Sequence, residues 1–444
     1  MGRFEASDKR GITPLHVATA TRNKQCVYVL LRHGAKINAL GSFDESPLHV
    51  ACAVGDEQLT EMMLRLGAEV NMKTYTEDTP LHVALLNGQG NCVDILLKYG
   101  ADPNTPSNCK VIPLSPGKIM RLYYKPRRGF GDRPLHYAVS LPSVGVVRSL
   151  IAAHADVNLE GFGGRGVFST AVASGSIELV EGLVAAGCEV NVPDKSGVVP
   201  LNIAIGLRDV HMVKWLLEHE FDPNTQISDK TSIAMAIDDM TCPVEIIKLL
   251  LDYGAKVNLQ GGRWLYGSQL SLLHIASYRL RADVVSLLIS RGALVNVQST
   301  ENKTPLMITP IDFHGGSRML SSVIIIRLLS HVPGIDLETR NNAGSTILHI
   351  CAQAEKPIDF VRILLEAGAD PTALNNDGNS PADIASVKEV TEMIQSYVGK
   401  VRSLQIQCKV ALLRSFGPGR LHFAPLPTGL KEFLLDGFSD WLSD

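Results

Sequence analysis

Thirteen histidines and eight cysteines are the residues best able to do chemistry in this chain of 444. An imidazole ligates metals and exchanges protons near neutral pH. Six of the histidines, His16, His49, His82, His136, His274 and His349, occupy one slot of a recurring motif whose fullest form is Thr/Ser-Pro-Leu-His. A histidine repeated at one position reads as a structural group, bonding its own turn and the next copy. His49 with Cys52, or His349 with Cys351, stand close enough in sequence to share a metal. A closed zinc site needs four ligands, and no second pair lies nearby, so no metal and no cofactor is assigned. The cysteines lie at least 17 positions apart and form no CxxC, which excludes a zinc ribbon and a disulfide scaffold. Single cysteines on apolar faces read as small buried hydrophobes in a reducing compartment.

Gly161-Phe162-Gly163-Gly164-Arg165-Gly166 spells GxGxxG. A dinucleotide site needs a buried strand before that motif and an acid about twenty residues on; turn glycines account for it better here. No P-loop, GxSxG or HExxH occurs, so no catalytic residue is assigned and the chain reads as a non-enzyme. A basic, aromatic cluster is the remaining candidate. Lys110, Lys118, Arg121, Lys125, Arg127, Arg128 and Arg133 face one acid, Asp132, with Tyr123, Tyr124 and Phe130 interleaved. A solvated loop, a dock for an acidic or phosphorylated protein segment, and a single-strand nucleic-acid contact all fit it.

The elements that must carry these groups show as a period. Thr13-Pro14-Leu15-His16 recurs as Ser46-Pro47-Leu48-His49 and Thr79-Pro80-Leu81-His82, in steps of 33 residues. Equivalent positions follow at Arg133, Gly166, Val199, Thr231, Ser271, Thr304, Thr346 and Ser380. Where that position is Thr or Ser, as at Thr13, it can cap a first helix whose first turn tolerates Pro. Leu15 and Ala18 share a face. A second helix ends in a Leu pair and then a glycine, as at Leu96-Leu97 and Gly100, before a short extended finger. The Thr-Pro-Leu-His-x-Ala pattern resembles the ankyrin repeat. That implies an all-α solenoid of about eleven repeats with short β-finger loops over residues 8–398, each repeat burying its apolar face on its neighbours.

Repeats five and nine are degenerate, with Val167-Phe168-Ser169-Thr170-Ala171 and with Met307 in the histidine slot. So few residues precede the first finger that a dedicated N-terminal capping helix is expected to be absent or to have been cut away. The period is broken by about 21 residues between Asn104 and Arg133, by about five around Trp264 and Tyr266, and by about seven between Pro310 and Ser322. Insertions in repeat proteins map to loops, often on the binding side. Tyr123, Tyr124, Arg127, Arg128, Trp264 and Tyr266 are residue types favoured at binding hot spots, and we expect them to meet a target protein. With repeats stacked roughly 10 Å apart, one domain could reach both finger insertions. A buried structural role is the competing reading of Trp264.

Past Lys400 the period stops. Leu404, Cys408 and Leu412 form one helical stripe, Gly417-Pro418-Gly419 breaks it, and Ala424-Pro425-Leu426-Pro427 holds the backbone extended. Leu430, Phe433 and Leu434 give a second apolar face. Residues 400–437, followed by a tail over 438–444, resemble a SOCS box, and the whole layout resembles the ankyrin repeat and SOCS box family. The resemblance implies a small helical domain in which Leu404, Cys408 and Leu412 bind elongin C with elongin B. It also implies that Pro425, Leu426, Pro427, Leu430 and Phe433 bind cullin-5 with its RING protein. Ala424 stands where the family usually has Leu, which implies a weaker cullin contact. Such a chain would present a target protein to a ubiquitin ligase. The other reading is an ankyrin scaffold without a ligase, its last helices only a cap.

The net charge of −3 and pI near 6.5 give no global case for nucleic acid or an anionic membrane. The longest apolar run is six residues, Cys26 to Leu31, against roughly 20 for a bilayer span. No secretory segment opens the chain, and Ala6 breaks the myristoylation pattern begun by Met1-Gly2. A cytoplasmic or nuclear location without membrane attachment is expected, so the sequon Asn302-Lys303-Thr304 reads as chance.

Overall fold

The computed structural model describes residues 11–398, apart from 116–117, 124–130, 142, 196, 228–229, 265–267, 312–315 and 355–357. Helix pairs follow at the phase read from the sequence. Repeats one to five hold α1 (Pro14–Ala20) and α2 (Lys24–Arg32), α3 (Pro47–Val54) and α4 (Glu57–Arg65), α5 (Pro80–Leu86) and α6 (Gly90–Lys98), α7 (Pro134–Val139) and α8 (Val144–Ala152), and α9 (Val167–Ser174) and α10 (Ile177–Ala185). Repeats six to ten hold α11 (Pro200–Leu207) and α12 (Val210–Glu218), α13 (Ser232–Asp238) and α14 (Val244–Asp252), α15 (Leu272–Tyr278) and α16 (Ala282–Ser290), α17 (Pro305–Ile308) and α18 (Gly316–Ser330), and α19 (Ile347–Ala352) and α20 (Ile358–Glu366). A last helix covers 388–398. The chain divides into two compact units, Met1–Ala255 and Lys256–Asp444.

Local chemistry sets the boundaries. Thr13, Ser46 and Thr79 are extended, and the following Pro opens the first helix. Some second helices start on a side-chain cap: Asn23, Asp56 and Asp209 accept from the backbone N–H of Cys26, Leu59 and Met212 at 3.0 Å. That satisfies one of the donors a helix start leaves open. The inner helices of neighbouring repeats meet across small residues, with Ala51, Ala84, Ala138 and Ala171 fully buried beside Leu48, Leu81 and Leu135. Burying one such leucine is worth about 1.5–3 kcal/mol, and only a neighbouring repeat supplies the cover. Second helices end on a left-handed residue. It is glycine at Gly34, Gly67 and Gly100, but His154 (φ 65°) and Glu220 (φ 63°) hold that place in repeats four and six.

The insertions are more ordered than the sequence reading of a solvated loop. The first carries an antiparallel hairpin, β1 (Cys109–Ser115) with β2 (Lys118–Tyr123), whose first strand approaches α9. A minimal hairpin joins β3 (Gln226–Ile227) to β4 (Lys230–Thr231) in the finger before α13. The second insertion pairs β5 (Gln260–Trp264) with β6 (Ser268–Ser271), which leads directly into α15. At the third, α17 spans only four residues, and α18, from Gly316, spans fifteen.

Candidate protein-interaction surface

The histidine slot is a joint between repeats. In repeat two His49 Nδ1 accepts from the backbone N–H of Ser46 at 3.0 Å and lies 2.8 Å from the Ser46 hydroxyl. Its Nε2–H reaches the carbonyl of Asp78, in the next finger, at 3.1 Å. The same bridge runs from His16 to Glu45, His136 to Arg165, His274 to Lys303 and His349 to Asn379, at 2.9–3.1 Å. Burial pushes His49, His136, His274 and His349 below the usual histidine value. The neutral tautomer that this geometry needs is therefore the favoured one. Where Met307 replaces the histidine, the Thr304 hydroxyl accepts from the Met307 N–H directly.

A second joint escaped the sequence reading. Asparagines in the fingers clamp the turn of the next repeat with both ends of the amide. Asn71 accepts from Asp102 N–H at 2.8 Å and donates to Gly100 O at 3.2 Å. Asn158, Asn258 and Asn296 do the same to Glu189 and Gly187, Leu294 and Gly292, and Asp336 and Gly334. Asn104 makes this clamp across the first insertion, to Asp156 N–H at 2.8 Å and His154 O at 3.3 Å. The hairpin is thus added without disturbing the stack. The signal was available, since Asn38, Asn71 and Asn104 recur at the 33-residue period.

With the joints satisfied internally, the finger edge is free to offer side chains to a partner. In unit Met1–Ala255, Phe43 is 70% exposed and Tyr75 67% exposed. They sit side by side, because Tyr75 N–H donates to Phe43 O at 2.9 Å. Leu40 is exposed in the same finger as Phe43. The ladder continues as Asn108 N–H to Thr76 O at 3.0 Å, so β1 springs from the finger next to these aromatics. Large exposed aromatics on adjacent turns are what a protein partner buries. Phe43 and Tyr75 were not singled out from sequence; aromatics at fingertip phase, where turn residues are the rule, would have marked them.

Of the residues expected to meet a target, Tyr123 ends β2 opposite Cys109, in unit Met1–Ala255. Trp264 ends β5 opposite Ser268, in unit Lys256–Asp444. Tyr124, Arg127, Arg128 and Tyr266 lie outside the described residues. So do the SOCS-type positions Leu404, Cys408, Leu412, Pro425, Leu426, Pro427, Leu430 and Phe433. The GxGxxG stretch is a fingertip: Gly161 N–H bonds Arg165 O at 2.8 Å, Gly163 and Gly164 are left-handed, and α9 follows. Cys52 and Cys188 are buried thiols whose pKa burial raises, that of Cys188 to about 11. Among the described residues no cluster of three His, Cys, Asp or Glu could hold a metal, and no helix is long and apolar enough to cross a membrane.

Ankyrin-repeat family models match residues 2–74, 37–107 and 168–261 (three-copy model), 328–385 (many-copy model) and 130–161 (single repeat). The chain is an ankyrin-repeat protein. Curated relatives include ankyrin repeat and SOCS box protein 5 of Oryctolagus cuniculus, 29% identical over 36% of this chain and 47% of its own length. The same protein of Homo sapiens is 34% identical over 23% of this chain and 31% of its own. Zinc finger CCCH domain-containing protein 24 of Oryza sativa subsp. japonica is 36% identical over 20% of this chain and 11% of its own. This ankyrin-repeat chain therefore spans less than half the length of each of these relatives.

Proposed function

We propose that this ankyrin-repeat protein is the substrate-recognition subunit of a cullin-RING ubiquitin ligase, with no catalysis of its own. Residues 400–437 bind elongin B and C through Leu404, Cys408 and Leu412, and cullin-5 through Pro425, Leu426, Pro427, Leu430 and Phe433. The carrying observation is the Leu404-Cys408-Leu412 stripe followed by Pro425-Leu426-Pro427 immediately beyond an ankyrin array. The partial likeness to ankyrin repeat and SOCS box proteins supports it. The repeats hold a target protein at their finger edge, where Phe43 and Tyr75 stand exposed beside the β1–β2 hairpin. The chain then contributes proximity, making ubiquitin transfer effectively intramolecular. It works in the cytoplasm or nucleus.

Changing Leu404 and Cys408 to Asp tests this. An unpaired charge in an apolar groove costs several kcal/mol, so pull-down of elongin B–C should be lost while the circular dichroism spectrum is unchanged. Elongin capture at wild-type strength rejects the ligase role and leaves an ankyrin scaffold, a reading that the likeness to proteins not named for a SOCS box also accommodates.

A further inference from the structure

The outer face of repeat nine breaks a rule that the other repeats keep. Nine second helices, α2 to α16 and α20, are each nine residues long. The second position of each is polar or glycine, among them Gln25, Gln58, Glu178, Glu245, Asp283 and Asp359. The buried triads Val284-Val285-Leu288, Ile325-Ile326-Leu329 and Phe360-Val361-Leu364 align α16, α18 and α20. In that frame Ile324 stands where the flanking helices carry Asp283 and Asp359, and it is 49% exposed. One turn earlier, in the part of α18 that the other helices lack, Leu320 is 64% exposed. Exposed Arg327 and His331 continue the stripe at helical spacing, where residues three and four apart share a face.

We propose that α18 docks an amphipathic helix of a partner protein, laid antiparallel, with a carboxylate in its first turn and apolar residues three and seven positions later. The carboxylate meets Arg327, and the two apolar side chains cover Ile324 and Leu320. The antiparallel sense follows from charge. An acidic helix start carries a negative side chain on a positive backbone terminus, and it falls beside the basic, C-terminal end of α18. The surroundings supply the polar rim of such a contact: Asp283, Ser286 and Ser290 are exposed on α16, and Asp359, Arg362 and Glu366 on α20. The flanking charges are mixed while the stripe on α18 is apolar and then basic, so both acid and apolar residues are needed for a match. This surface does not depend on the ligase reading.

The probe is a fluorescein-labelled, stapled helix with Glu, Leu and Leu at i, i+3 and i+7, titrated with the full chain by anisotropy. Saturable binding is expected. Ile324→Asp should weaken it at least ~10-fold, about 1.4 kcal/mol. That variant carries the residue the neighbouring repeats already hold at the same exposed place, so its circular dichroism spectrum should match wild type. Replacing the probe's Glu by Lys should weaken binding similarly, and Arg327→Glu should restore it. The proposal is overturned by absence of saturable binding to wild type, by equal affinity for Ile324→Asp, or by no response to the charge swap. It is also overturned if sedimentation shows that wild type self-associates through this face and Ile324→Asp does not, for the occupant would then be a second copy.

Discussion

Replacing His49 by Leu isolates one joint between repeats. The ring is buried, and Leu fills similar space without its bonds. Three interactions go: from Ser46 N–H, with the Ser46 hydroxyl, and to Asp78 O. The hydroxyl can turn to the helix backbone, as Thr304 does where Met307 replaces histidine. Asp78 O keeps the backbone N–H of Thr74 at 2.9 Å, so one donor, Ser46 N–H, is left, which costs about 1–3 kcal/mol when buried without a partner, and we expect a loss of that size in urea unfolding at pH 7.5. The pH dependence adds a second signature. Burial lowers the pKa of folded His49 below the ordinary histidine value of about 6.5, so below pH 6.5 the unfolded chain binds more protons than the folded one. Wild-type stability should therefore fall as pH drops from 6.5, by up to about 1.4 kcal/mol per pH unit for each such histidine. His136, His274 and His349 share the direction. His49→Leu should remove one histidine's share of that slope. Equal stability at pH 7.5, or an unchanged slope between pH 7 and 5.5, refutes the joint.

Glu220→Gly should raise stability by about 0.5–1 kcal/mol by thermal melt, because relief of a left-handed non-glycine outweighs the added freedom of the unfolded chain; a lower melting temperature would count against it. Asn104→Ala should speed hydrogen exchange at the Asp156 amide, whose acceptor it removes, while the Glu189 amide held by Asn158 exchanges as before. Phe43→Ser with Tyr75→Ser, and separately deletion of 109–123, should each reduce target capture without changing elongin binding; full capture by both variants would move the target elsewhere. Ala424→Leu should tighten cullin-5 binding to the preformed elongin complex by about 1–3 kcal/mol, the worth of a buried Leu-sized side chain, and calorimetry showing no change would detach that position from the cullin.

The repeats were legible because one motif carries several independent constraints: cap, helix-opening proline, buried leucine and bridging histidine all recur at one phase. The histidine's part in turn and inter-repeat bonding could be read for the same reason. The first insertion hid its hairpin behind its charge. Yet Pro116-Gly117 between Val111-Ile112 and Ile119-Met120 is a turn signal flanked by strand-forming residues. Ile324 was illegible for a different reason. The third insertion lengthens α18, so the phase that would have marked Ile324 as out of place appears only once the helices are superposed through their buried residues. Fingertip phase would have marked Phe43 and Tyr75 singly, but the hydrogen bond between fingers that sets them side by side is encoded by no periodicity.

The ligase reading rests most heavily on the last segment, and calorimetry against purified elongin B–C addresses it directly. The full chain should bind with one-to-one stoichiometry, and a chain ending at residue 398, which keeps the whole array, should give no binding heat. No binding by the full chain, or equal binding by the shortened one, would contradict the account.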